Sequence, residues 1–458
     1  MRGMSLWTAA EIAGATGGTS SGEFVAEGVT FDSREIIGGE LFIAMKGEAT
    51  DGHRFIEGAH EKGAAGFLVS EDCAYPNVRV PDSFEALQAL GRAGRDRVGA
   101  TIVGVTGSVG KTSVKEALRH AFQEIEPEHT HWSVKSYNNH TGVPLSLARM
   151  PRDARLAVFE MGMNHTGELA ALTRLVRPQV AVVTWVTSAH LAFFENEEAI
   201  ADAKGEIFEG LEPGGVAVLP FDSPHYARLR AKAERHAARI FSFGSGAGAD
   251  VRALQSASDA GGSTVIADVD GNRVAYRIPL PGAHWIANSL AVLAAVHAAG
   301  VDLAAAALGL SQMQGLEGRG AQYRIPAKDG EALLIDESYN ANPASMAASL
   351  AVLGAAKAAR RIAVLGPMRE LGDASERLHA ELAPHVSAAK VDVAVLVGDE
   401  TIPLESALPR EIAVVRVSDA AGARAALSDI IAAGDAILLK ASNSVGLGRI
   451  ASALRGIN

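Results

Sequence analysis

Cysteine is nearly missing: Cys73 is the only one in 458 residues. One thiol excludes an internal disulfide framework and fits a reducing compartment. Nothing in its surroundings gives Cys73 a role. Aromatic residues are scarce at 5%. Apolar runs stay far short of the ~20 residues a membrane-spanning helix needs. The opening MRGMSLWTAAEIAGATGG lacks the basic-then-apolar design of an export signal. Positive charge is in deficit, with 42 Lys and Arg against 53 Asp and Glu, for a net −11. That excludes a broad nucleic-acid surface but leaves room for a basic pocket holding one anion. A cytoplasmic protein without membrane insertion or nucleic-acid partner is expected.

Hydrophobic residues make up 48% and glycines number 48, which suits large α/β cores with closely packed helices. The length suggests about three domains at ~150 residues each. Strand and helix patterns alternate throughout and divide the chain into residues 1–98, 99–320 and 321–458. The first reads as a small α/β module. The second reads as a mainly parallel sheet covered on both faces, with hairpins at its edge over 239–280. The third reads as a doubly wound sheet with a ligand site at strand C-terminal ends.

The densest chemical signal is TIVGVTGSVGKTSVK, residues 101–115. A β-branched run, Thr101 to Val105, predicts a buried parallel strand. The turn Thr106-Gly107-Ser108-Val109-Gly110 follows, then Lys111-Thr112-Ser113 and a helix over 114–124. This is the layout of a phosphate cradle. Glycines admit backbone N–H groups to phosphate oxygens, the helix start and Lys111 add positive charge, and Thr112 offers a hydroxyl to magnesium. The general pattern G-x-x-x-x-G-K-[ST] would place glycine where Val105 stands; what fits is T-G-x-x-G-K-T-[ST]. The rival reading, a glycine turn before a helix with a solvated lysine, is disfavoured by the preceding strand.

Other candidates are weaker alone. Glu160 ends the next strand, LAVFE, where a carboxylate can hold phosphate-bridging magnesium; a plain surface glutamate fits equally. His190 follows the VVTWVT strand, and a lone histidine is more often merely satisfied or exposed. Lys204 and Glu206 lie in ADAKGEIF, and nothing in the local pattern singles out a helical lysine. The segment DESYNANP, 336–343, has the composition of a binding loop, or of an elaborate helix cap built on Asn342.

Together these motifs resemble the Mur ligases of bacterial cell-wall synthesis, nearest the branch adding D-alanyl-D-alanine to UDP-N-acetylmuramoyl-tripeptide. The resemblance runs the length of the chain. It rests on VTFDSR (29–34), FIAMKGE (42–48), VTGSVGKTSVKE (105–116), YNNHTGVP (137–144), EMGMNHTGEL (160–169), SAHL (188–191), AKGEIF (203–208), EGRG (317–320), DESYNANP and RELG (369–372). It implies a uridine-nucleotide domain, a central ATPase domain and a C-terminal Rossmann-like domain that takes the dipeptide and part of ATP. Thr106, Gly107, Ser108, Val109, Gly110, Lys111, Thr112 and Ser113 would bind ATP phosphates, and Asn288, Arg319, Asp336, Tyr339 and Asn340 the rest of the nucleotide. Thr112 and Glu160 would share one magnesium. His190 and a carbamylated Lys204 would hold a second, with Lys111, Glu160, His190 and Lys204 as the catalytic set. Ser33, Arg34 and Lys46 match the uridine pocket, and Asn138, Asn139, Asn164 and His165 the sugar-peptide region. The implied reaction runs through an acyl phosphate, in a monomer whose domains close around the site.

Three departures from the family pattern stand out: Trp285 in the His284–Asn288 motif, Pro367 in G-P-M-R-E-L-G, and Asn443 in K-A-S-N where an arginine is expected. Trp285 bears on how the adenine packs, and Pro367 and Asn443 put the C-terminal substrate contacts in question. Rival readings are the ligase adding the third peptide residue, a folylpolyglutamate synthase, and a non-catalytic nucleotide-binding partner. The first carries a D-N-P-R motif, which is missing here; the N-terminal VTFDSR/FIAMKG module speaks against the second.

Overall fold

A computed structural model describes residues 5–47, 50–188, 191–259 and 261–457. Among the described residues three larger sheets follow one another along the chain, each with helices against it, beside a two-stranded antiparallel pair, Trp7–Thr8 with Val25–Ala26. Among the described residues no helix is long and apolar enough to cross a membrane.

The first sheet has five strands, in the order Thr19–Ser21, Asn77–Arg79, Gly66–Val69, Glu40–Ile43, Gly28–Thr30; all neighbours are parallel except the first pair. The Glu40 strand is shorter than the apolar run through 47 suggests. It ends at Ile43 because the chain folds back, with the Gly52 N–H donating to the Met45 carbonyl at 2.7 Å. The helix Ala9–Thr16 starts on a reciprocal cap between Thr8 and Glu11 and stops at left-handed Gly17.

The central sheet has nine strands. Six neighbours run parallel from Thr130–Trp132 to Val251–Asp259, and Gly262–Val269 and Asn272–Ile278 continue as the expected antiparallel hairpins. Alternation along Thr101–Thr106 splits the core in two. Val103 and Val105 face the helices Lys111–Ile125 and Ala283–Ala298, and Ile102 faces the opposite layer with Leu169 and Ile200.

The third sheet has six strands, in the order Ala321–Ala327, Gly330–Asp336, Asp435–Lys440, Arg360–Leu365, Val393–Val397, Ala413–Val417, with only the first pair antiparallel. Between the strands Arg360–Leu365 and Val393–Val397 lie two short helices, Ser375–Ala380 and Ala383–Ala388, and not one long one, because Pro384 cannot donate into a continuous helix.

Candidate active site

Register places the loop. The Thr101–Thr106 strand lies between Leu156–Glu160 and Val180–Val183, with Val105 opposite both Glu160 and Val182. Val105 is fully buried, so the position where the general pattern has glycine is sheet core here. The turn begins two residues later. Gly107 has φ +151°, and a Cβ there would stand 2.0 Å from Thr184 Oγ1. Gly110 has φ +84°, and a Cβ would meet Asn288 Oδ1 at 2.8 Å. Neither position accepts a side chain. The turn is pinned from the neighbouring strand: Ser108 N–H donates to the Trp185 carbonyl at 2.7 Å, and the Thr184 hydroxyl to that of Val109 at 2.5 Å.

The helix begins at Lys111, three residues before the sequence reading placed it, and no side chain caps it. Its first N–H groups therefore face the turn, which suits an anion. Lys111 Nζ folds over the turn and donates to the Gly107 carbonyl at 2.7 Å. Burial pushes its ammonium below the ordinary value, and Glu160 opposes that.

Glu160 is buried beside the loop. It accepts the Thr112 hydroxyl at 2.7 Å on one oxygen and Asn138 Nδ2 at 2.7 Å on the other. Hydroxyl and carboxylate are hard oxygen donors of the kind magnesium takes, so this pair fits such an ion. Lys204 is fully buried in the helix Glu197–Gly205, and its Nζ has no hydrogen-bond partner among the described residues. Burial first, then repulsion from Lys111, drives its pKa well below the usual lysine range; Glu206 opposes this weakly. Glu206 is committed elsewhere, accepting the N–H of Gly167 at 2.8 Å. His190 lies outside the described residues.

Known proteins match this chain over most of its length. Residues 25–94 match the "Mur ligase family, catalytic domain", 105–296 the "Mur ligase middle domain" and 324–443 the "Mur ligase, glutamate ligase domain". A UDP-N-acetylmuramoyl-tripeptide–D-alanyl-D-alanine ligase from Rickettsia prowazekii is 31% identical over 97% of this chain and 99% of its own length. The chain belongs to the Mur ligase family. Its fold matches MurF from Acinetobacter baumannii with a TM-score of 0.84 and 29% identity, over 98% of this chain and 99% of that one. A MurF ligase from Thermotoga maritima, solved in complex with ADP, matches at 0.78 and 26% identity, over 94% and 97%.

In this Mur ligase, Asn288 stands over Gly110, beside the phosphate loop. The Arg319 guanidinium stacks 4.0 Å from the centre of the Tyr339 ring, and the Tyr339 hydroxyl donates to Ser136 Oγ at 2.7 Å, joining the third domain to the central one. Asp336 is fully buried and holds its own loop, accepting the Gly318 N–H at 2.9 Å and the Ser338 hydroxyl at 2.6 Å. The Asn340 carbonyl accepts from buried Lys440 at 3.1 Å. Asn342 caps the helix Pro343–Ala355 reciprocally with Ser345, so the cap reading of that residue holds. Trp285, the departure in the helix motif, is buried in the central core and presents no face to a ligand.

The first-domain residues sit on adjacent loops. Ser33 and Arg34 follow Gly28–Thr30, and Lys46 follows its parallel neighbour Glu40–Ile43. The Ser33 carbonyl accepts Lys62 Nζ at 2.9 Å. Arg34 grips Asp32 through Nε at 2.9 Å and Nη2 at 2.7 Å, and this holds the Asp32 carboxyl at about 2. Lys46 pairs with Glu71 at 2.7 Å. Asp51 and His53 lie near that glutamate, but His53 Nε2 already accepts the Ser70 N–H at 3.0 Å and Nδ1 faces Asp51 at 2.7 Å, which accounts for the group without a metal.

Asn138 and Asn139 divide their tasks. Asn138 reaches Glu160, whereas Asn139 closes its own turn by accepting the Gly142 N–H at 2.9 Å. Asn164 and His165 are exposed, and His165 packs edge-on to Phe193 at 5.1 Å. In the third domain Pro367 and Asn443 flank the strand ends. The Pro367 carbonyl accepts the Ser442 N–H at 3.0 Å, and Ser442 Oγ accepts the Arg369 N–H at 2.9 Å. Beyond them opens a cleft of about 660 Å³ edged by Asp373, Glu376, Asp399 and Glu400.

Sequence reasoning passed over Lys115, one turn beyond the loop. It is fully buried, and its Nζ donates to the carbonyls of Ser133 at 2.9 Å and Lys135 at 3.1 Å. Its only signal was a lysine inside an otherwise apolar helix stripe.

Proposed function

We propose that this Mur ligase joins UDP-N-acetylmuramoyl-tripeptide to D-alanyl-D-alanine at the cost of ATP. The observation that carries the reading is the Thr112–Glu160–Asn138 cluster against an uncapped helix, with a buried, unpartnered lysine nearby. Residues 1–98 take the uridine nucleotide through Ser33, Arg34 and Lys46, 99–320 take ATP, and 321–458 take the dipeptide and part of ATP. We take the working unit to be a monomer. Dependence on ATP argues for the cytoplasm.

Loop N–H groups and Lys111 orient the γ-phosphate toward the tripeptide carboxylate. A carboxylate oxygen bonds to the phosphorus and ADP leaves, giving an acyl phosphate. The dipeptide amine then attacks the acyl carbon and loses a proton, and phosphate departs. The acidic cleft of the third domain suits the ammonium form of the dipeptide, which gives up one proton to free the attacking lone pair before the amine loses a second on forming the amide. Magnesium held by Thr112 and Glu160 would neutralise charge on the phosphates. An amine with a depressed pKa is the form that adds to carbon dioxide. On losing a proton it becomes a carbamate, an anion in place of a cation, and this would give Lys204 a partner for a second magnesium shared with His190.

Phosphate release that requires both the UDP-tripeptide and D-alanyl-D-alanine is the expected result, with lysine and diamino-acid tripeptides both tried. Release with neither would sink the ligase reading. Lys204→Ala is expected to lose at least about a hundredfold in kcat and to recover part of it with added short carboxylic acids; full activity would remove Lys204 from the metal site.

A further inference from the structure

Glu35 lies one residue beyond Arg34, on the stem of the turn whose tip carries Ser33 and Arg34, yet its side chain points away from that tip. The Glu35 N–H closes the turn onto the Asp32 carbonyl at 2.9 Å. Its carboxylate reaches into the central domain. One oxygen takes Lys135 Nζ and the Tyr137 hydroxyl, the latter at 2.9 Å; the other takes Arg149 Nη2 at 3.0 Å and the first domain's own Thr30 hydroxyl at 3.2 Å. Four donors on one carboxylate outweigh the cost of its partial burial and hold the group at about 2.

The segment it grips is short and constrained. Lys135 has φ +52°, a left-handed conformation that a non-glycine side chain keeps only where its surroundings impose it. Lys115, on the phosphate-loop helix, holds the carbonyls on either side of Val134. One residue beyond Tyr137, Asn138 donates to Glu160, and the Asn138 carbonyl accepts the Gly162 N–H at 2.8 Å. Residues 133–138 thus run from a first-domain carboxylate to the acid beside the phosphate loop without a free joint.

We propose that Glu35 is a positioning residue: through residues 133–138 it couples the seating of the 32–35 turn to the orientation of Asn138 and Glu160. The inference rests on the proposed assignment of that turn to the uridine nucleotide. Occupancy of the first domain is thereby registered at the phosphate site, and ATP is committed when its acceptor is in place.

In the full-length protein, Glu35→Gln should lower kcat at saturating substrates about tenfold or more, while KM for the UDP-tripeptide changes less than threefold. Tyr137→Phe removes one hydroxyl and should lower kcat about threefold. The double variant should be no slower than Glu35→Gln alone, because both act along one path. A raised KM with kcat unchanged, or multiplicative losses in the double variant, overturns the proposal. A second arm needs no turnover: in substrate-free protein, amide exchange should quicken over 134–139 in both variants and stay unchanged in the Thr101–Thr106 strand. Unchanged protection at 134–139 overturns the coupling even if the ligase reading holds. Quickened exchange there supports it even if the true substrate proves different. Should Glu35→Gln unfold, Tyr137→Phe decides both arms alone.

Discussion

The two junctions of the central domain are built differently. At the first, backbone meets backbone. The helix Ser83–Asp96 lies so close to Gly142–Ala148 that a Cβ on Gly91 would stand 2.9 Å from Pro144, and one on Gly94 2.4 Å from the Leu147 carbonyl. Leu145 and Ala148 belong to the same buried cluster as Trp7 and Leu87. Trp7 Nε1 donates to the Ala148 carbonyl at 2.8 Å, Arg152 pairs with Glu11 at 2.6 Å, and the Glu35 carboxylate accepts three central-domain donors, Lys135, Tyr137 and Arg149. At the third-domain junction, leaving aside the connecting residues 317–320, the contacts between described residues include Tyr339 to Ser136, the Ala192 N–H to the Glu370 carbonyl at 3.0 Å, and Leu191 packed between two cores. Continuous close packing transmits position, whereas a few polar contacts at a hinge can open and close. We therefore expect the first domain to act as the fixed base and closure to belong to the third. Glu370 is near enough to act on the Lys111 charge, so this part of the third domain lies close to the loop.

The largest expected effect is at the rigid junction. Gly94→Val places side-chain atoms against fixed backbone and should cost about 3 kcal/mol, read as a lower urea midpoint. Gly14, in another helix of the same domain, has open space around it, so Gly14→Ala should be neutral or stabilising by roughly 0.5 kcal/mol. Equal midpoints for the two variants would break the contrast.

Acid should separate the junctions next. In the third domain the His379 ring accepts the Met368 N–H on Nε2 at 3.0 Å and donates from Nδ1 to the Ser375 carbonyl at 2.7 Å. Burial lowers its pKa, so the neutral ring belongs to the folded state. Its contribution is complete above the ordinary histidine value of about 6.5 and falls away as pH drops below it. Glu35 is held at about 2, so its contribution is complete above the ordinary glutamate value and is lost only as pH falls toward 2. Between about pH 6 and 5 the 366–372 loop should lose amide protection while 134–139 keeps it. The reverse order would invert the comparison.

How much of this was legible in advance follows the same division. The phosphate loop, Glu160 at a strand end and three α/β modules are local patterns of apolar period and glycine placement, and these survive in sequence. Val105 departs from the general glycine pattern, yet the β-branched run had already placed it in a buried strand, and there it lies. Lys204 and Lys115 were illegible for one reason. A helical lysine is solvated by default, and only the packing of other elements over it makes it a buried charge. Glu35 was passed over beside two residues carried by family resemblance, since its partners lie about a hundred residues away. Asn342 caps its helix, as the alternative reading had it, and Asp336 accepts bonds from Gly318 and Ser338 within the loop.

The smallest expected effect falls at the hinge side. Ser136→Ala removes the hydroxyl that Tyr339 reaches across to, without touching a core or a charge. Stability should stay within about 0.5 kcal/mol, as for other surface-level polar losses. Closure should become less favourable by roughly 1 kcal/mol, the net worth of one neutral hydrogen bond, so kcat/KM for the dipeptide should fall about fivefold. The contraction seen by solution scattering when nucleotide and both substrates are added should shrink in parallel. If scattering shows no contraction in the unaltered protein, the third domain is as fixed as the first, and the light contacts at Ser136 and Ala192 suffice to hold it.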